Sequence, residues 1–353
     1  MNNDQAQLIQ QLVAESLNSV TPLQIQGGKS KFFYGREPQG NILSLTDHSG
    51  IVNYHPSELV ITARTGTALP IIEQTLAEQG QMLAFEPPHF SSAATLGGTI
   101  ACGFSGARRP FTGAARDFVL GCKLINGKAQ ILSFGGEVMK NVAGYDVSRL
   151  MVGAMGTLGV LLEVSLKVLP RPAYECTQVF QLECEQALLK MIELSKKCLP
   201  LSGLSFDGEL LYVRLSGSEK AVKAASLKVG GDILASSEYF WQESIEQKLD
   251  FFNDVEELWR LSVPPATPEI ALSGKWFYEW GGAQRWLISN ESKQTVFATA
   301  EKLGGHACLF RAKNRSAEIF QPLPEPLKKL NRNIKTAFDP HNIFNPYRMN
   351  TEW

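Results

Sequence analysis

The chain has 353 residues, a formal net charge of −1 and 44% hydrophobic residues, a composition typical of a globular protein large enough for two domains. It contains no long run of lysine and arginine, which argues against nucleic acid as a partner. The longest uncharged apolar stretch, residues 150–162, contains three glycines and is shorter than the roughly 20 residues of a membrane span. The N-terminus is polar and has no export signal, so we expect a cytoplasmic protein.

The first predicted element is a helix over residues 1–20, in which four apolar side chains recur at helical spacing. They are Leu8, Leu12, Val13 and Leu17. Short strands are predicted next, at residues 23–25, 41–46 and 50–56. The pattern indicates a domain that begins with one helix and several short strands.

Residues 59–80 form the clearest local unit, a strand over 59–63 followed by a helix that Gly80 ends. We expect Thr67 to cap this helix and Pro70 to occupy one of its first positions. The predicted apolar face consists of Ile71, Ile72, Leu76 and Ala77. Such a unit would pack its helix against the strand that precedes it.

The rest of the chain predicts two further regions. Two alternating strands flank the Asn126-Gly127 pair, which suits the positive φ of a tight hairpin turn. A β-rich run ends in two prolines, and we place a domain boundary there, so that the first domain is 1–172. From 173 to 325, short strands alternate with helices, which predicts a compact α+β domain with an antiparallel sheet. Residues 326–353 predict a basic helix followed by turns.

The cysteines give no sign of a metal centre. None forms Cys-x-x-Cys, and none lies near a histidine at a metal-site spacing. The six are Cys102, Cys122, Cys176, Cys184, Cys198 and Cys308. We expect reduced, mostly buried thiols, with no metal site and no iron–sulfur ligand set.

Two glycine-rich segments have the character of ligand-binding loops. In residues 25–31, "IQGGKSK", the glycines allow main-chain N–H groups to form an anion-binding concavity, beside hydroxyl and ammonium donors. In residues 93–106, "AATLGGTIACGFSG", Gly97 and Gly98 leave room for a ligand near two hydroxyl side chains. An ordinary surface turn is the alternative for the first segment, and close strand packing is the alternative for the second.

Two charged motifs are more ambiguous. Residues 135–164 place polar side chains among glycines and apolar residues, and Asp146 and Arg149 have the spacing of a helical ion pair. The polar residues are Lys140, Asn141, Tyr145, Asp146 and Arg149. Arg116 and Asp117 either orient a ligand or cap the following strand, and we favour the structural role.

The order of the motifs is more specific than any one of them. "ATLGGTIA", "GAARDFVLG", "VMKNVAGYD", "GTLGVLLEVSLKVLP" and "FDPHNIFNP" occur in this order along the chain. The chain thereby resembles the vanillyl-alcohol oxidase / p-cresol methylhydroxylase (PCMH-type) FAD-binding family nearly end to end, most strongly over 86–170. The resemblance implies an α+β fold: an FAD-binding domain of two α+β subdomains (1–172), a smaller α+β cap domain with an antiparallel sheet (173–325), and a C-terminal segment (326–353) that returns to the FAD domain.

The resemblance also implies the cofactor-binding residues. The first pyrophosphate loop consists of Gln26, Gly27, Gly28, Lys29, Ser30 and Lys31. The second loop and its surroundings contribute Pro87, Thr95, Leu96, Gly97, Gly98, Ala101, Ser105 and Gly106, and later segments contribute Gly159, Val160 and Asn345. Relatives usually have Arg-Gly-Gly-Gly-Thr at the first loop, so we expect Lys29 to supply the positive charge of the missing arginine.

The catalytic groups are less evident. Oxidation of a 2-hydroxy acid needs a cation for the carboxylate, a base for the hydroxyl proton and a flavin to take the hydride. Arg260 and Arg285, each near a tryptophan, are the candidates for binding the carboxylate. A salt bridge from either arginine to a nearby glutamate (Glu256, Glu257 or Glu279) is the alternative.

The histidines do not match the family's histidine-rich catalytic motifs. We expect His306 and His341 to be structural. His89 lies outside the usual position of a covalent flavin tether, so we expect non-covalent FAD.

Within the family, the resemblance is closest to the FAD-binding subunits of multi-subunit glycolate dehydrogenases, which oxidise glycolate to glyoxylate. It implies two partners, a larger FAD subunit and an iron–sulfur subunit that passes electrons toward quinone, and at most a peripheral contact with the membrane. The alternatives are a stand-alone FAD-dependent 2-hydroxy-acid dehydrogenase and a scaffold subunit without functional flavin. Whether the chain oxidises substrate itself or relays electrons stays open at this point.

Overall fold

A computed structural model describes residues 2–136 and 145–353 of the chain. Its helices are α1 (Ala6–Ser19), α2 (Leu69–Ala77), α3 (Leu96–Cys102), α4 (Arg109–Thr112), α5 (Ala115–Phe118), α6 (Val147–Leu150), α7 (Cys184–Ser195), α8 (Glu219–Val229), α9 (Ser237–Ile245), α10 (Lys293–Lys302) and α11 (Glu325–Phe338). Its strands are β1 (Leu23–Gln26), β2 (Asn41–Ser44), β3 (Ile51–His55), β4 (Val60–Arg64), β5 (Gln81–Met82), β6 (Val119–Ile125), β7 (Ile131–Gly135), β8 (Val160–Lys167), β9 (Leu169–Pro170), β10 (Tyr174–Gln181), β11 (Leu201–Phe206), β12 (Leu210–Gly217), β13 (Asp232–Ile233), β14 (Leu258–Ser262), β15 (Lys275–Glu279), β16 (Gln284–Ile288) and β17 (His306–Arg311).

Two large antiparallel sheets organise these elements. The first has five strands in the order β3-β4-β8-β6-β7, and the second has eight in the order β13-β10-β12-β11-β15-β16-β14-β17. β1 and β2 form a separate parallel pair beside the first sheet. The α+β class and the antiparallel sheet of the second region are therefore confirmed. The domain boundary near residue 172 stays a prediction, and the chain passes from one sheet system to the other between Pro170 and Tyr174.

The apolar face predicted for the first helix is partly wrong. Leu8 is 52% exposed and Leu12 is 38% exposed, whereas Ile9 and Val13 are buried. The buried side chains follow the spacing i, i+4, i+7 through Ser16, one position away from the leucines. They pack on a core that includes residues of β1, β2 and β8, so the cluster in three dimensions determines which stripe faces inward.

Two local predictions also need correction. Thr67 does not cap α2, because its hydroxyl donates to the Gly50 carbonyl and accepts from the Gly50 N–H. In the β6–β7 turn, Ala129 rather than Gly127 has a positive φ, of 56°. Gly127 is needed for another reason: a Cβ there would lie 2.6 Å from the Cα of Asp339, in the C-terminal segment.

That C-terminal segment packs against the N-terminal strands. Lys335 is buried and donates to the Asp339 carboxylate at 2.6 Å and to the Thr157 carbonyl at 2.7 Å. Asp339 in turn accepts from the Phe344 N–H at 2.8 Å, and Phe344 bridges to Leu23 of β1. Phe344, near the end of the chain, thus contacts the strand that leads into the first glycine-rich loop.

The eight-stranded sheet has two different faces. At its β14–β17 end one face packs on α10 through Val296 and Ala300. The opposite face contributes Phe277, Trp286 and Phe310 to an aromatic core shared with residues of the first half of the chain, such as Tyr34 and Phe104. This aromatic core joins the two sheet systems, and the candidate site lies beside it.

Candidate functional site

A first cavity of about 570 Å³, open to solvent, lies between residues 26–31, the N-terminal end of α3 and the C-terminal segment. Ten of the predicted cofactor-binding residues line it: Gln26, Gly27, Gly28, Lys29, Ser30, Lys31, Thr95, Gly98, Ala101 and Asn345. The structure thus brings together three segments that are distant in sequence. Sequence reasoning missed Arg348 and Cys102, which also line the cavity.

The first loop leaves a row of hydrogen-bond donors free. Among the described residues, the main-chain N–H groups of residues 27–30 donate to no acceptor. Lys29 has a left-handed φ of 60°, a conformation that turns successive N–H groups toward one concavity. Such a concavity binds anions, because each N–H carries a partial positive charge.

The second loop provides the opposite wall. Thr95 caps α3, and its hydroxyl accepts from the Gly98 N–H at 3.3 Å. A Cβ on Gly28 would lie 1.5 Å from the Ala93 carbonyl oxygen, so the two loops touch backbone to backbone there. Among the described residues, a Cβ on Gly98 would meet only the Thr95 hydroxyl, at 3.4 Å. The missing side chain of Gly98 therefore leaves volume open in the cavity and does not make room for a neighbouring segment.

The cavity is electropositive. Among the described residues, its lining includes Lys29, Lys31 and Arg348 and no aspartate or glutamate. Lys31 is buried, and within the described parts of the chain its ammonium has only the Ser30 hydroxyl and the His89 carbonyl as hydrogen-bond partners, both at 3.4 Å. Burial lowers the pKa of Lys31, and burial likewise lowers the pKa of Arg348 to about 10. A bound anion would offset both effects.

These features fit a dinucleotide with a pyrophosphate. The free N–H row and the Lys31 ammonium suit phosphate oxygens, whereas the Arg348 guanidinium already donates to the carbonyls of Phe32, Tyr34 and Arg36. Gln26 Oε1 is buried and has no hydrogen-bond partner in residues 2–136 and 145–353, so a ligand donor would satisfy it. The Asn345 amide is already used, since it accepts from the Ile25 N–H at 2.8 Å and donates to the Met155 carbonyl at 2.7 Å. Asn345 therefore fixes the shape of the cavity.

A second cavity, of about 580 Å³, adjoins the first, and Cys102 lines both. Two predicted cofactor residues, Ser105 and Gly106, line this second cavity instead of the first. The eight-stranded sheet contributes Arg260, Trp286 and other aromatic side chains to its wall. An elongated cofactor held in the first cavity would have its other end beside this aromatic space.

Strand alternation separates the two candidate arginines. Arg260 pairs with Trp286 and therefore shares the face that points into the second cavity. Arg285 is the next residue to Trp286, so its side chain points to the opposite face. There it is fully buried and donates to the carbonyls of Gly282, Pro268 and Thr267. Arg260 faces a ligand space and Arg285 has a structural role.

Comparison with known proteins agrees with this geometry. Residues 4–135 match the FAD binding domain family. The chain is 46% identical to glycolate oxidase subunit GlcE of Escherichia coli (strain K12) over 349 residues, which span 99% of this chain and 98% of that protein. The chain belongs to the GlcE family of glycolate oxidase subunits.

More distant relatives match only parts of the chain. Glycolate oxidase subunit GlcD of Bacillus subtilis (strain 168) is 30% identical over 48% of this chain and 36% of its own length. D-lactate dehydrogenase of Anaerostipes hadrus is 33% identical over 38% of this chain and 28% of its own length. A solved structure of alkyldihydroxyacetonephosphate synthase has a TM-score of 0.67 at 15% identity, covering 96% of this chain and 74% of that one. At that identity the likeness shows the fold alone.

Five predicted cofactor residues of this GlcE-family chain line neither cavity: Pro87, Leu96, Gly97, Gly159 and Val160. Pro87, Leu96 and Val160 are buried. Gly97 donates its N–H to the Thr65 carbonyl at 2.8 Å, and a Cβ there would lie 2.7 Å from the Thr65 Cβ. A Cβ on Gly159 would lie 2.9 Å from the Ile125 carbonyl oxygen. These five positions pack within the protein, and their contact with the cofactor stays a prediction.

The histidines of the GlcE-family chain have other partners. The His89 ring lies 3.0 Å from the Glu73 carboxylate, and this hydrogen bond raises the pKa of His89. His306 begins β17, and His341 is exposed in the turn after α11. None of these three histidines lines either cavity.

The remaining charged motifs are structural where the structure describes them. Asp146 and Arg149 form the predicted ion pair at 3.1 Å. Asp117 accepts from the Ala114 N–H at 2.9 Å at the N-terminal end of α5, so this structural contact is made to a helix and not to the strand that was predicted. Lys140 and Asn141 lie outside the described residues.

The six cysteines are free thiols. In the described parts of the chain, no group of three or more His, Cys, Asp or Glu side chains could hold a metal ion. Nor does any helix within those parts have the length and apolar character needed to cross a membrane.

Replacing Arg285 by methionine is expected to destabilise the fold by at least about 3 kcal/mol, because three carbonyl oxygens lose a charged donor. Thermal unfolding followed by circular dichroism measures this change. Arg260→Met is the matched control and should lower the melting temperature less, because the Arg260 guanidinium contacts only side chains, the Tyr34 hydroxyl at 3.1 Å and the Cys308 thiol, among the described residues. Equal melting temperatures for the two variants would contradict the structural role of Arg285.

Proposed function

We propose that the chain is the FAD-binding subunit of a multi-subunit glycolate dehydrogenase that oxidises glycolate to glyoxylate. The observation that carries the proposal is the end-to-end similarity to glycolate oxidase subunit GlcE, together with an electropositive cavity between the two glycine-rich loops. FAD, when bound, supplies the acceptor for the hydride that leaves the substrate carbon. We further propose that residues 1–172 form the FAD domain, 173–325 the cap and 326–353 the returning segment.

In this proposal the chain's own residues bind and orient the cofactor and the substrate. The N–H row of residues 27–30 and the Lys31 ammonium hold the pyrophosphate. The second cavity takes the substrate, and Arg260 binds its carboxylate there. The aromatic side chains around Arg260 exclude water, which strengthens its interaction with an anion. The pairing of His89 with Glu73 supports non-covalent FAD, since that ring nitrogen already has a partner.

The electron path is the part of the proposal that needs partners. A larger FAD subunit of the GlcD type and an iron–sulfur subunit would receive electrons and pass them toward quinone. The complex would be cytoplasmic, with any membrane contact made through partner subunits. A second candidate, a stand-alone 2-hydroxy-acid dehydrogenase, is favoured by one observation: a single chain contains both the cofactor cavity and an arginine-lined cavity beside it.

Anaerobic titration with glycolate tests these alternatives. The purified chain is loaded with FAD and titrated alone, and then after co-expression with its partner subunits, while the flavin absorbance is recorded. Glycolate should bleach the flavin of the assembled complex, and bleaching of the isolated chain would favour the stand-alone enzyme. A complex whose flavin stays oxidised with excess glycolate would contradict the proposed activity.

A further inference from the structure

The second cavity contains three charged side chains that form no ion pair with any other described residue: Arg109, Arg260 and Glu279. They come from distant parts of the chain, namely α4, β14 and the end of β15. Arg109 makes no side-chain hydrogen bond within the described residues, and Arg260 has only the Tyr34 hydroxyl and the neighbouring Cys308 thiol. An arginine keeps its proton in a protein, and both guanidinium groups are partly withdrawn from water, so an anion bound in this cavity would stabilise the pair.

Both guanidinium groups lie over aromatic rings. Arg109 lies over the Trp280 ring, with 4.2 Å between the guanidinium carbon and the ring centroid. Arg260 lies 5.6 Å from the centroids of three rings, including those of Tyr34 and Phe104. A cation–π contact uses no N–H donor, so it leaves guanidinium N–H groups available for a carboxylate, which can accept two parallel hydrogen bonds.

Glu279 is fixed as an acceptor in the same cavity. Its Oε2 accepts from Gln284 and Trp286, both at 2.7 Å, while among the described residues its Oε1 accepts only from the Ser244 hydroxyl, at 3.2 Å. Each carboxylate oxygen can accept about two hydrogen bonds, so Oε1 has room for one more donor. Burial raises the pKa of Glu279 and outweighs the three hydrogen bonds, each of which lowers it. The group suits a ligand hydroxyl.

We propose that Arg109 and Arg260 together bind the carboxylate of a small 2-hydroxy monocarboxylic acid and that Glu279 accepts a hydrogen bond from its 2-hydroxyl group. Two guanidinium groups and one carboxylate leave a single net positive charge in the cavity, which one monocarboxylate neutralises. Arg109 and Glu279 thereby become substrate-binding residues in addition to Arg260. This inference rests on the proposed function for the identity of the substrate class, but the anion site itself requires no catalysis.

The experiment uses ligands that cannot be oxidised. 2-Hydroxy-2-methylpropanoate has the carboxylate and the hydroxyl but no hydrogen on C2, its amide lacks the charge, and 2-methylpropanoate lacks the hydroxyl. Isothermal titration of the purified full chain gives the Kd of each ligand, with or without retained flavin. Arg109→Gln and Arg260→Gln should each weaken binding of the hydroxy acid at least about tenfold and leave binding of the amide unchanged.

Arg116→Gln is the matched control, because it removes an exposed charge in the neighbouring helix α5 that lines neither cavity. It should change the Kd less than about twofold. Glu279→Gln should reduce the preference for the hydroxy acid over 2-methylpropanoate. Arg109→Lys keeps the charge, and its Kd should lie between those of the wild type and Arg109→Gln. Melting temperatures identify any variant that fails to fold.

Wild-type affinity of Arg109→Gln for the hydroxy acid, or equal weakening for the acid and its amide, would overturn the two-arginine site. An unchanged preference in Glu279→Gln would overturn the role of Glu279. Failure of the proposed function gives a different result: the complex would not be reduced by glycolate, while the carboxylate would still bind in an arginine-dependent manner.

Discussion

Replacing Gly98 by leucine is expected to prevent FAD binding without loosening the fold. A Cβ at this position would meet only the Thr95 hydroxyl, at an ordinary contact distance of 3.4 Å, and Gly98 lines the first cavity. The added side chain therefore extends into the first cavity, where the cofactor is proposed to bind, and does not collide with packed protein atoms. Helix α3 should be as stable as before, because leucine has a higher helix propensity than glycine. We expect FAD affinity to fall by at least about 100-fold.

The measurement is FAD binding to the flavin-free chain by fluorescence quenching, together with its melting temperature. Ala224→Leu is the matched control, since Ala224 is exposed on helix α8 and lines neither cavity. The control should bind FAD as the wild type does. Gly28→Ala offers a contrast, because its Cβ would collide with the Ala93 carbonyl at 1.5 Å and should lower both affinity and melting temperature. A Gly98→Leu protein with full affinity would place the cofactor elsewhere.

Replacing Lys31 by methionine is expected to separate cofactor affinity from stability. Lys31 is buried in the first cavity without a carboxylate within ion-pair distance among the described residues. Removing a buried, unpaired cation should leave the melting temperature of the flavin-free chain unchanged or raise it. It should weaken FAD binding about 10- to 100-fold, because a charged donor to the phosphates is lost.

Lys29→Met is the control for this second prediction. Lys29 belongs to the same loop and also lines the first cavity, but its side chain is exposed to solvent. Its removal should therefore weaken FAD binding less than removal of Lys31. The comparison also decides which lysine replaces the arginine found in relatives. If Lys29→Met has the larger effect, the burial of Lys31 does not reflect a phosphate contact.

The positions of the glycine-rich loops could be predicted from sequence because backbone-binding loops depend on residues that are neighbours in the chain. Gly27, Gly28 and Gly98 lie at the cavity as expected. The same motifs also contain Gly97 and Gly159, whose missing side chains leave room for Thr65 and Ile125. A glycine has the same appearance in sequence in both roles, and only the contacts of the folded chain distinguish them.

The proposed substrate-binding residues could not be predicted from one segment of the sequence, because strand register and packing bring them together. Arg260 and Arg285 looked equivalent beside their tryptophans, but strand register places them on opposite faces of the sheet. Arg109 and Glu279 escaped prediction because 170 positions separate them in the chain, and only the packing of α4 against the sheet brings them to one cavity. Similarly, the core determined which face of α1 is buried, and the apolar pattern allowed more than one stripe.

We propose that this GlcE-family chain holds one FAD, without a covalent bond, between its two glycine-rich loops. The most direct measurement is the amount of flavin released when the purified, FAD-reconstituted chain is denatured in acid, expressed per chain, for the wild type and Gly98→Leu. We predict close to one equivalent of free FAD from the wild type and almost none from the variant. A colourless wild-type chain, flavin that stays with the denatured protein, or equal release from both proteins would contradict the account.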